Sequence, residues 1–300
     1  MSGPSPAAVF DAERPRLVGL AYRMLGSVAD AEDVVQEAWL RWAAVDPATI
    51  ESPPAWLTTV VSRLSLDQLR RRRRDQERYV GPWLPEPLVE PASPEPGPAA
   101  RAELADSLTT AFLLLLEQLS PTERAVVLLT DVFGEPFDTV AHIVGKSPAA
   151  TRQVASRARR RLRAEEGSVA VPAAPSDAQR DVARAYLLAS LTDDKEALLS
   201  LLADDVVVMS DGGPDQHAAR RPVVGPHRAA RFSSNLVRRF ADVLAFEEAT
   251  VNGNPGVVGR LGDAVAIVVS VEVVGGRVQR VTSVLNPDKL RHVDEAIQLI

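Results

Sequence analysis

The sequence predicts a multidomain protein in which two all-α domains are followed by an α+β domain. Three observations predict this fold class. The chain has 300 residues, about twice the usual domain length of roughly 100 to 150 residues. Apolar residues recur at three- and four-residue spacing up to residue 165, which is typical of amphipathic helices. Beyond residue 200, runs of β-branched residues indicate strands.

The composition excludes several classes of protein. With 46% hydrophobic and 25% charged residues, the chain is typical of a globular protein. It has no cysteine and four histidines, which excludes disulfides and thiolate metal sites and leaves little basis for a zinc site. No apolar run reaches the roughly 18 to 20 residues of a membrane span, and residues 1–16 lack the pattern of a signal peptide. We therefore expect a cytoplasmic protein, and we predict no cofactor and no metal.

Positive charge is concentrated in two segments of an acidic chain. The net charge is -6, yet residues 63–78 contain seven basic and three acidic residues, and residues 146–163 contain seven basic residues and no acidic one. Such a distribution is expected when two separate surfaces meet phosphate groups. It favours a protein that contacts DNA at two sites.

The first all-α domain is predicted from residues 9–78, which have the spacing of helices. Asp30 precedes an apolar run and is predicted to be the N-cap of its helix, with Asp33 favouring the helix dipole in the first turn. Pro53 and Pro54 are predicted to begin the next helix, which continues into a run of five arginines.

A linker follows, because seven prolines lie between residues 80 and 100. Trp83 and Leu84 within it are costly to leave in water, so we expect them to dock on another part of the protein. We place the domain boundaries at 1–80, 81–104 (linker), 105–165, 166–177 (linker) and 178–300. The second all-α domain is predicted to begin with a helix from Leu104 to Leu119.

The second domain ends in a helix-turn-helix pattern. Phe137–Val144 is predicted as a short helix, Gly145 as the turn, and Ser147 as the N-cap of a second helix with Pro148 in its first turn. The first turns of such a helix normally enter the major groove of DNA. There, Arg152 can contact guanine and Gln153 adenine, while arginines further along are suited to phosphate.

The last domain is predicted to be α+β with an antiparallel sheet. Helices are expected over residues 179–202, and strands over the apolar runs that follow. Gly275 and Gly276 predict a tight hairpin turn between the last two strands.

Residues 9–165 resemble a bacterial sigma factor of the extracytoplasmic-function group, group IV of the sigma-70 family. The string AYRMLGSVADAEDVVQEAWLRW resembles the region 2 helices that bind the polymerase clamp, and WLTTVVSRLSLDQLRRRRR resembles the helix that opens and reads the -10 element. The string LSPTERAVVLLTDVFGEPFDTVAHIVGKSPAATRQVASRARRRL is similar to region 4, which reads the -35 element. The resemblance implies that residues 1–80 are region 2 and residues 105–165 are region 4.

The resemblance also implies two partners, promoter DNA and core RNA polymerase with its clamp and flap surfaces, and three sets of contact residues. The polymerase-binding set is Asp30, Glu32, Asp33, Gln36, Glu37 and Leu40. The -10 set is Trp56, Ser62, Arg63, Asp67, Arg70 and Arg71. The -35 set is Ser147, Ala149, Thr151, Arg152, Gln153, Arg157 and Arg160.

Further motifs resemble the sigma subgroup that carries a fused SnoaL-like domain. They are YVGPWLPEP in the linker, SDGG at 210–213 and NPDKL at 286–290. This resemblance implies that residues 178–300 form a cone-shaped α+β domain of the SnoaL and nuclear-transport-factor-like fold, which replaces or supplements a separate anti-sigma protein. The implied interdomain regulatory set is Trp83, Leu84, Pro85, Asp211, Gly212, Gly213, Asn286, Pro287, Asp288, Lys289 and Leu290.

Two other functions stay open from the sequence alone. The first is a one-component regulator that binds DNA and senses a small molecule in the C-terminal domain, which leaves the second basic helix unexplained. The second is an enzyme whose pocket would gather six polar residues: Asp211, His217, Arg220, Arg221, Asn252 and Asn286. Because no spacing demands catalysis, we predict a sigma factor without enzymatic activity, whose C-terminal domain modulates transcription in cis. A small-molecule ligand or regulator at that domain stays open.

Overall fold

A computed structural model describes residues 5–46, 49–76, 79–91, 109–166, 175–214, 216–240 and 243–294. The chain divides into two compact units. The first comprises Met1–Glu77, Leu113–Val171 and Gln298–Ile300, and the second comprises Arg78–Phe112 and Pro172–Ile297. The predicted start of a helix at Leu104 lies outside the described residues. None of the described helices is long and apolar enough to cross a membrane.

The first unit is helical. Its helices are α1 (Pro6–Leu25), α2 (Val28–Ala43), α3 (Pro53–Gln76), α4 (Thr110–Glu117), α5 (Pro121–Val127), α6 (Phe137–Val144) and α7 (Pro148–Glu166). The first turn of α4 belongs to the second unit. A π-helical turn over Leu128–Val132 extends α5.

Local capping chemistry sets where these helices begin and end. Ser27, rather than the predicted Asp30, is the N-cap of α2, and its hydroxyl accepts a hydrogen bond from the backbone N–H of Asp30. The helix begins earlier than predicted because Gly26, in the left-handed conformation, ends α1 directly before it. Ser120 and Glu123 form a capping box that starts α5.

Helices α1 to α3 pack into one group, and buried arginines join it to the helices α5 to α7. The Arg124 side chain lies in the interior, where its Nη1 donates to the carbonyl of Met24 (2.7 Å) and its Nε to that of Leu116 (3.0 Å). Arg23 packs over the ring of Phe133, and burial lowers the pKa of Arg23 to about 10. Arg23 therefore stays charged at neutral pH. The two helical groups form one body.

The second unit combines helices with a seven-stranded sheet. The helices are α8 (Asp177–Leu191), α9 (Lys195–Leu201), α10 (Pro226–Phe240) and α11 (Arg291–Asp294), with a 3₁₀ turn at Pro287–Lys289. The strands are β1 (Val89–Pro91), β2 (Leu202–Asp211), β3 (Val223–Val224), β4 (Ala245–Val251), β5 (Asn254–Leu261), β6 (Ala264–Val274) and β7 (Arg277–Val284). Their order in the sheet is β1-β4-β5-β6-β7-β2-β3.

The sheet is mixed, so the predicted antiparallel sheet is wrong for one pair of strands. Strands β2 and β7 are parallel, and the other pairs are antiparallel. Hairpins force neighbouring strands to be antiparallel, whereas the long connection between β2 and β7 allows either direction. The predicted hairpin at Gly275 and Gly276 is confirmed, since both glycines have positive φ angles between paired strands.

Both faces of the sheet are covered. Alternate residues such as Val269 and Val281 face a core formed with α8 and α10. Their neighbours, such as Val268 and Thr282, line a small cavity on the opposite face together with Leu84 of the linker. The described part of the linker thus belongs to the second unit, and the expectation that Leu84 docks is confirmed, because it is only 1% exposed.

Candidate functional site

The helix-turn-helix presents the second helix, α7, as predicted. Gly145 ends α6 with φ of 69°, and the Ser147 hydroxyl caps α7 by accepting from the N–H of Ala150. The exposed members of the -35 set are Ser147, Ala149, Arg152, Gln153, Arg157 and Arg160. The guanidinium of Arg152 lies over the ring of Phe137, 5.4 Å from its centroid. This contact orients Arg152 on the outer surface of the helix pair.

Thr151 is the exception in the -35 set. Its side chain is fully buried, and its hydroxyl donates to the carbonyl of Ser147 (3.0 Å). Thr151 is thus unavailable to DNA, because it lies on the face of α7 that packs in the interior. Arg159 also has a structural contact, since its Nε donates to Asp131 (2.9 Å). Burial opposes ionisation of Asp131, but its hydrogen bonds with Arg159 and Thr130 outweigh burial and lower the pKa of Asp131.

The -10 set lies on α3. Arg63, Asp67, Arg70 and Arg71 are exposed, with Asp67 and Arg70 paired at 3.2 Å. Ser62 is fully buried, so its predicted contact with DNA is not available from this conformation. Trp56 is half-buried, with its ring 5.6 Å from that of Trp42.

One member of the -10 set also bridges the two helical groups. The guanidinium of Arg63 donates from Nη2 to the backbone carbonyl of His142 on α6 (3.0 Å). The arginine therefore has a protein partner in this conformation, and it must leave that carbonyl before it can contact DNA with all its donors.

The polymerase-binding set lies on α2. Asp33, Gln36 and Leu40 are exposed, and Leu40 is a large apolar side chain with 57% of its surface exposed. Glu32 and Glu37 are half-buried, and Glu37 pairs with Arg41. Asp30 forms an ion pair with Arg72 of α3, which leaves it the least free of the set. An acidic face around an exposed leucine suits a protein interface.

The interdomain set converges on one buried carboxylate. Asp211 ends β2 and is 1% exposed. Its Oδ1 accepts from the hydroxyl of Tyr79 (2.6 Å) and the N–H of Gly213 (3.0 Å). Its Oδ2 accepts from the N–H of Leu84 (2.8 Å) and from Nζ of Lys289 (2.7 Å). Two of these four donors come from the linker, so the linker completes the site. We call this arrangement the Asp211 clasp.

Lys289 is the cation of the Asp211 clasp. Besides the carboxylate, its ammonium bonds to the carbonyl of Leu84 and lies 4.0 Å from the ring centroid of Trp83 and 5.0 Å from that of Tyr79. A lysine that loses its hydration in this way needs both the anion and the aromatic faces. Burial, and then the hydrogen bond to Asp211, raise the pKa of Tyr79 well above its usual range. Tyr79 thus stays protonated and donates.

The remaining members of the set shape the clasp. Gly213 has φ of 62°, and a Cβ there would lie 2.8 Å from the side-chain amide of Asn286. Asn286 donates from Nδ2 to the hydroxyl of Tyr79 (2.8 Å), and its Oδ1 accepts from the N–H of Asp288 (3.1 Å). Gly212 is equally constrained, because a Cβ would lie 2.6 Å from the carbonyl of Gln216. Pro287 begins the 3₁₀ turn, and Leu290 is buried. The strings SDGG and NPDKL therefore serve one site.

Sequence reasoning missed several residues that hold the linker. Tyr79 begins the motif YVGPWLPEP but is not a member of the predicted interdomain set. Asn252 accepts from the N–H of Leu88 through Oδ1 (3.2 Å), and its own N–H donates to the carbonyl of Leu88 (2.8 Å). His292 contacts the carbonyl of Pro87 at 2.9 Å. The sequence offers one signal for Tyr79, which lies five residues before the apolar Leu84. Asn252 and His292 could be identified only from the fold.

The polar pocket considered for an enzyme does not form. A cavity of about 60 Å³ lies between the sheet, α8 and α10. None of the six residues proposed for catalysis lines it. Asp211, Asn252 and Asn286 hold the linker instead, while His217, Arg220 and Arg221 lie near or on the surface.

Comparison with known proteins defines the class. The Sigma-70 region 2 model matches residues 9–75, and the Sigma-70, region 4 model matches residues 109–162. These are the helical groups that carry the acidic face of α2 and the basic face of α7. The predicted fold class, two helical regions followed by an α+β domain, is confirmed.

Full-length relatives extend the match to the second unit. The ECF RNA polymerase sigma factor SigJ of Mycobacterium tuberculosis (strain ATCC 25618 / H37Rv) is 40% identical over 290 residues, which covers 93% of this chain and 91% of SigJ. The Probable ECF RNA polymerase sigma factor SigI of strain CDC 1551 / Oshkosh is 32% identical, with 95% and 94% coverage. The crystal structure of SigJ superimposes with a TM-score of 0.74 over 96% of this chain and 99% of SigJ, at 34% identity. This chain therefore belongs to the extracytoplasmic-function family of RNA polymerase sigma factors.

We expect Lys289→Met to loosen the linker from the second unit. Methionine keeps most of the side-chain volume but leaves the buried carboxylate of Asp211 without its cation, which costs about 3 to 5 kcal/mol. Chymotrypsin can cleave after Tyr79 and Trp83, so its rate of cleavage under native conditions measures release. Lys195→Met is the matched control, because Lys195 is an exposed lysine of the same unit. Equal cleavage of both variants and the parent protein would contradict the role given to Lys289.

Proposed function

We propose that this chain binds core RNA polymerase through the exposed face of α2 and directs it to promoters by contacts of α3 with the -10 element and of α7 with the -35 element. The observation that carries the proposal is the exposed basic face of α7, a helix that Ser147 caps. The same chain also matches Sigma-70 region 2. A one-component regulator would need no region 2. We further propose that the protein acts in the cytoplasm, where its template lies.

We expect purified protein to direct core polymerase to specific start sites in transcription in vitro, and Arg152→Ala to weaken that activity. Loss of one bidentate base contact costs about 1 to 3 kcal/mol, or roughly 5- to 150-fold in promoter affinity. Arg180→Ala removes an exposed arginine of the second unit and serves as the control. Undiminished transcription with Arg152→Ala would overturn the assignment of α7, and failure to bind core polymerase would overturn the sigma function.

The conformation of the first unit does not fit both promoter elements at once. The elements are centred roughly 25 base pairs apart, which is about 85 Å in B-form DNA at about 3.4 Å per step. A compact unit of about 140 residues has a radius of gyration of only roughly 14 Å. Regions 2 and 4, joined through Arg124 and Arg63, must therefore separate before both can reach DNA. We propose that this is a closed, inactive state.

The linker is proposed to control that separation. Leu84, near the start of the segment between regions 2 and 4, and Thr110, the first residue of α4 in region 4, line the same small cavity of the second unit. Strand β1 pairs with β4 in addition. While the Asp211 clasp holds Leu84, and Thr110 stays docked at the same cavity, the linker between them cannot extend. The second unit thus restrains the sigma regions in cis.

We expect Lys289→Met to raise transcription from a cognate promoter several-fold, because it releases the linker and favours separation of regions 2 and 4. Since the chain has no cysteine, Ser52→Cys and Lys146→Cys can carry a pair of fluorescent labels on region 2 and region 4. Energy transfer between the labels should fall in the Lys289→Met background and stay high with Lys195→Met. Unchanged or reduced transcription would reject restraint in cis by the Asp211 clasp.

The cavity of the second unit supports a second function, the binding of a small molecule. Its lining is apolar except for the hydroxyls of Tyr186, Ser190, Ser233 and Ser283. The Tyr186 and Ser233 hydroxyls bond to each other, whereas Ser283 Oγ is buried and has no hydrogen-bond partner among the described residues. A buried orphan hydroxyl in an apolar cavity fits a ligand with one acceptor group. We propose that the ligand is neutral and mainly apolar.

The same lining argues against catalysis. The cavity is lined by no carboxylate, imidazole or ammonium group of the described residues. Tyr186 is the only lining residue with an ionisable side chain, and burial raises its pKa. Acid-base chemistry needs a group that titrates near neutral pH. We therefore propose that the second unit binds without converting its ligand.

We expect the neutral dye N-phenyl-1-naphthylamine to bind in this cavity with increased fluorescence, and Leu236→Arg to abolish the increase, because a charge on α10 inside the lining is incompatible with an apolar occupant. Leu261→Arg, at a position that is 60% exposed, is the matched control. Circular dichroism must show that both variants are folded. Dye binding that survives Leu236→Arg would locate the dye elsewhere and contradict the proposed site.

A further inference from the structure

The arginines of the second unit are strongly segregated. Residues 216–240 contain six arginines and no acidic residue, whereas the remainder of residues 167–300 contains eight basic and 17 acidic residues. All six are exposed: Arg220, Arg221, Arg228, Arg231, Arg238 and Arg239. Two lie before α10 and four lie on it. A unit with a net negative charge therefore carries one strongly positive surface.

The four arginines on α10 share one face. At about 100° per residue they fall within an arc of roughly 100°. The opposite face packs in the interior through Ala229, Ala230, Ser233 and Ser234. Arg228 and Arg238 are about 15 Å apart along the helix axis, which matches the rise of roughly four base pairs of DNA. We call this face, with Arg220 and Arg221, the α10 basic face.

Among the described residues, carboxylate partners are fewer on the α10 basic face than elsewhere in the unit. Arg184 pairs with Glu248 at 3.0 Å, Arg280 with Glu272 at 3.0 Å, and Arg260 with Glu247 at 3.4 Å. On the basic face, the one ion pair recorded among the described residues joins Arg238 and Asp193, at 4.0 Å. Like charges placed together on a helix repel each other unless an anion binds them.

We infer that the α10 basic face is a third DNA-contact surface, which binds the phosphate backbone of the duplex that flanks the -35 element. Arginine forks match phosphate oxygens, and contacts to phosphate carry no base information, so the contact is independent of base sequence. The ten residues 167–176 between α7 and α8 span at most about 35 Å, which keeps the second unit near DNA held by region 4. Only the location on DNA rests on the proposed function.

The first experiment measures the salt dependence of binding to a random 30-base-pair duplex by the full chain. Each lost phosphate contact reduces the slope of log K against log salt by about 0.9. Arg228→Gln, Arg231→Gln and Arg238→Gln together should reduce the slope by about two to three and weaken binding at least tenfold at low salt. Arg180→Gln, Arg184→Gln and Arg291→Gln together make the same change in net charge at exposed sites of the same unit, and should have little effect.

The two triple variants distinguish a specific DNA-binding surface from general electrostatic attraction. Equal losses in the two triple variants would mean that general electrostatics, and no specific surface, attracts DNA. If the first triple variant binds DNA normally but binds core polymerase more weakly, the surface belongs to a protein partner. Either result, or the absence of duplex binding by the parent protein, would overturn the inference, whether or not the proposed promoter contacts of α3 and α7 are borne out.

The second experiment locates the contact. Asn235 lies in the middle of the α10 basic face and is exposed, so Asn235→Cys can carry an iron chelate that cleaves nearby DNA. In the complex with core polymerase and promoter, cleavage is expected beside the -35 element. A chelate on Asp263→Cys, in the exposed turn between β5 and β6, is the control. No cleavage from residue 235, or the same pattern from both positions, would overturn the inference.

Discussion

The buried ion pair of Asp211 and Lys289 is the constraint on which the second unit and its linker depend. A buried ion pair gains little by itself, because the cost of removing both charges from water offsets their attraction. The pair is tolerable only when its remaining hydrogen-bonding capacity is filled, and here the linker supplies the hydroxyl of Tyr79, the N–H and carbonyl of Leu84, and the face of Trp83. Because the buried pair of Asp211 and Lys289 needs these groups, the proline-rich linker is part of the folded second unit.

This dependence makes the linker a reversible element. Its attachment adds burial of Leu84, worth about 2 kcal/mol, to a few hydrogen bonds worth about 1 kcal/mol each, so its docking free energy is within the range that binding to a large partner can offset. Contacts such as that of Arg63 with the carbonyl of His142 are single hydrogen bonds of the same order. The proposed closed state is held by several such weak contacts. It would be stable in the isolated protein and could open when the protein binds polymerase.

Periodicity and turn chemistry predicted much of the fold. The spacing of apolar residues identified the helices, and the Gly275-Gly276 turn placed the last hairpin. The orientation of β2 against β7 did not follow, because it is set by packing across 65 residues of intervening chain rather than by a local signal. The sequence predicted which helices carry the site residues but not the direction in which each side chain points. Ser62 and Thr151 lie in the predicted helices, yet their side chains point into the interior. The sequence could not predict that SDGG and NPDKL meet at the linker, because it is the pairing of β2 with β7 that brings them together.

The sheet also couples surfaces that the sequence keeps apart. Along β7, Ser283 faces the apolar cavity, while its neighbours Thr282 and Val284 face the linker on the other side. Helix α10 lines the cavity with Leu236 and carries the arginines on its opposite face. If linker docking or the inferred phosphate binding depends on the position of β7 or α10, a cavity ligand that prefers one position changes the free energy of that binding. The effect is then reciprocal. The proposed neutral ligand could in that case act on transcription through packing, without a titrating group.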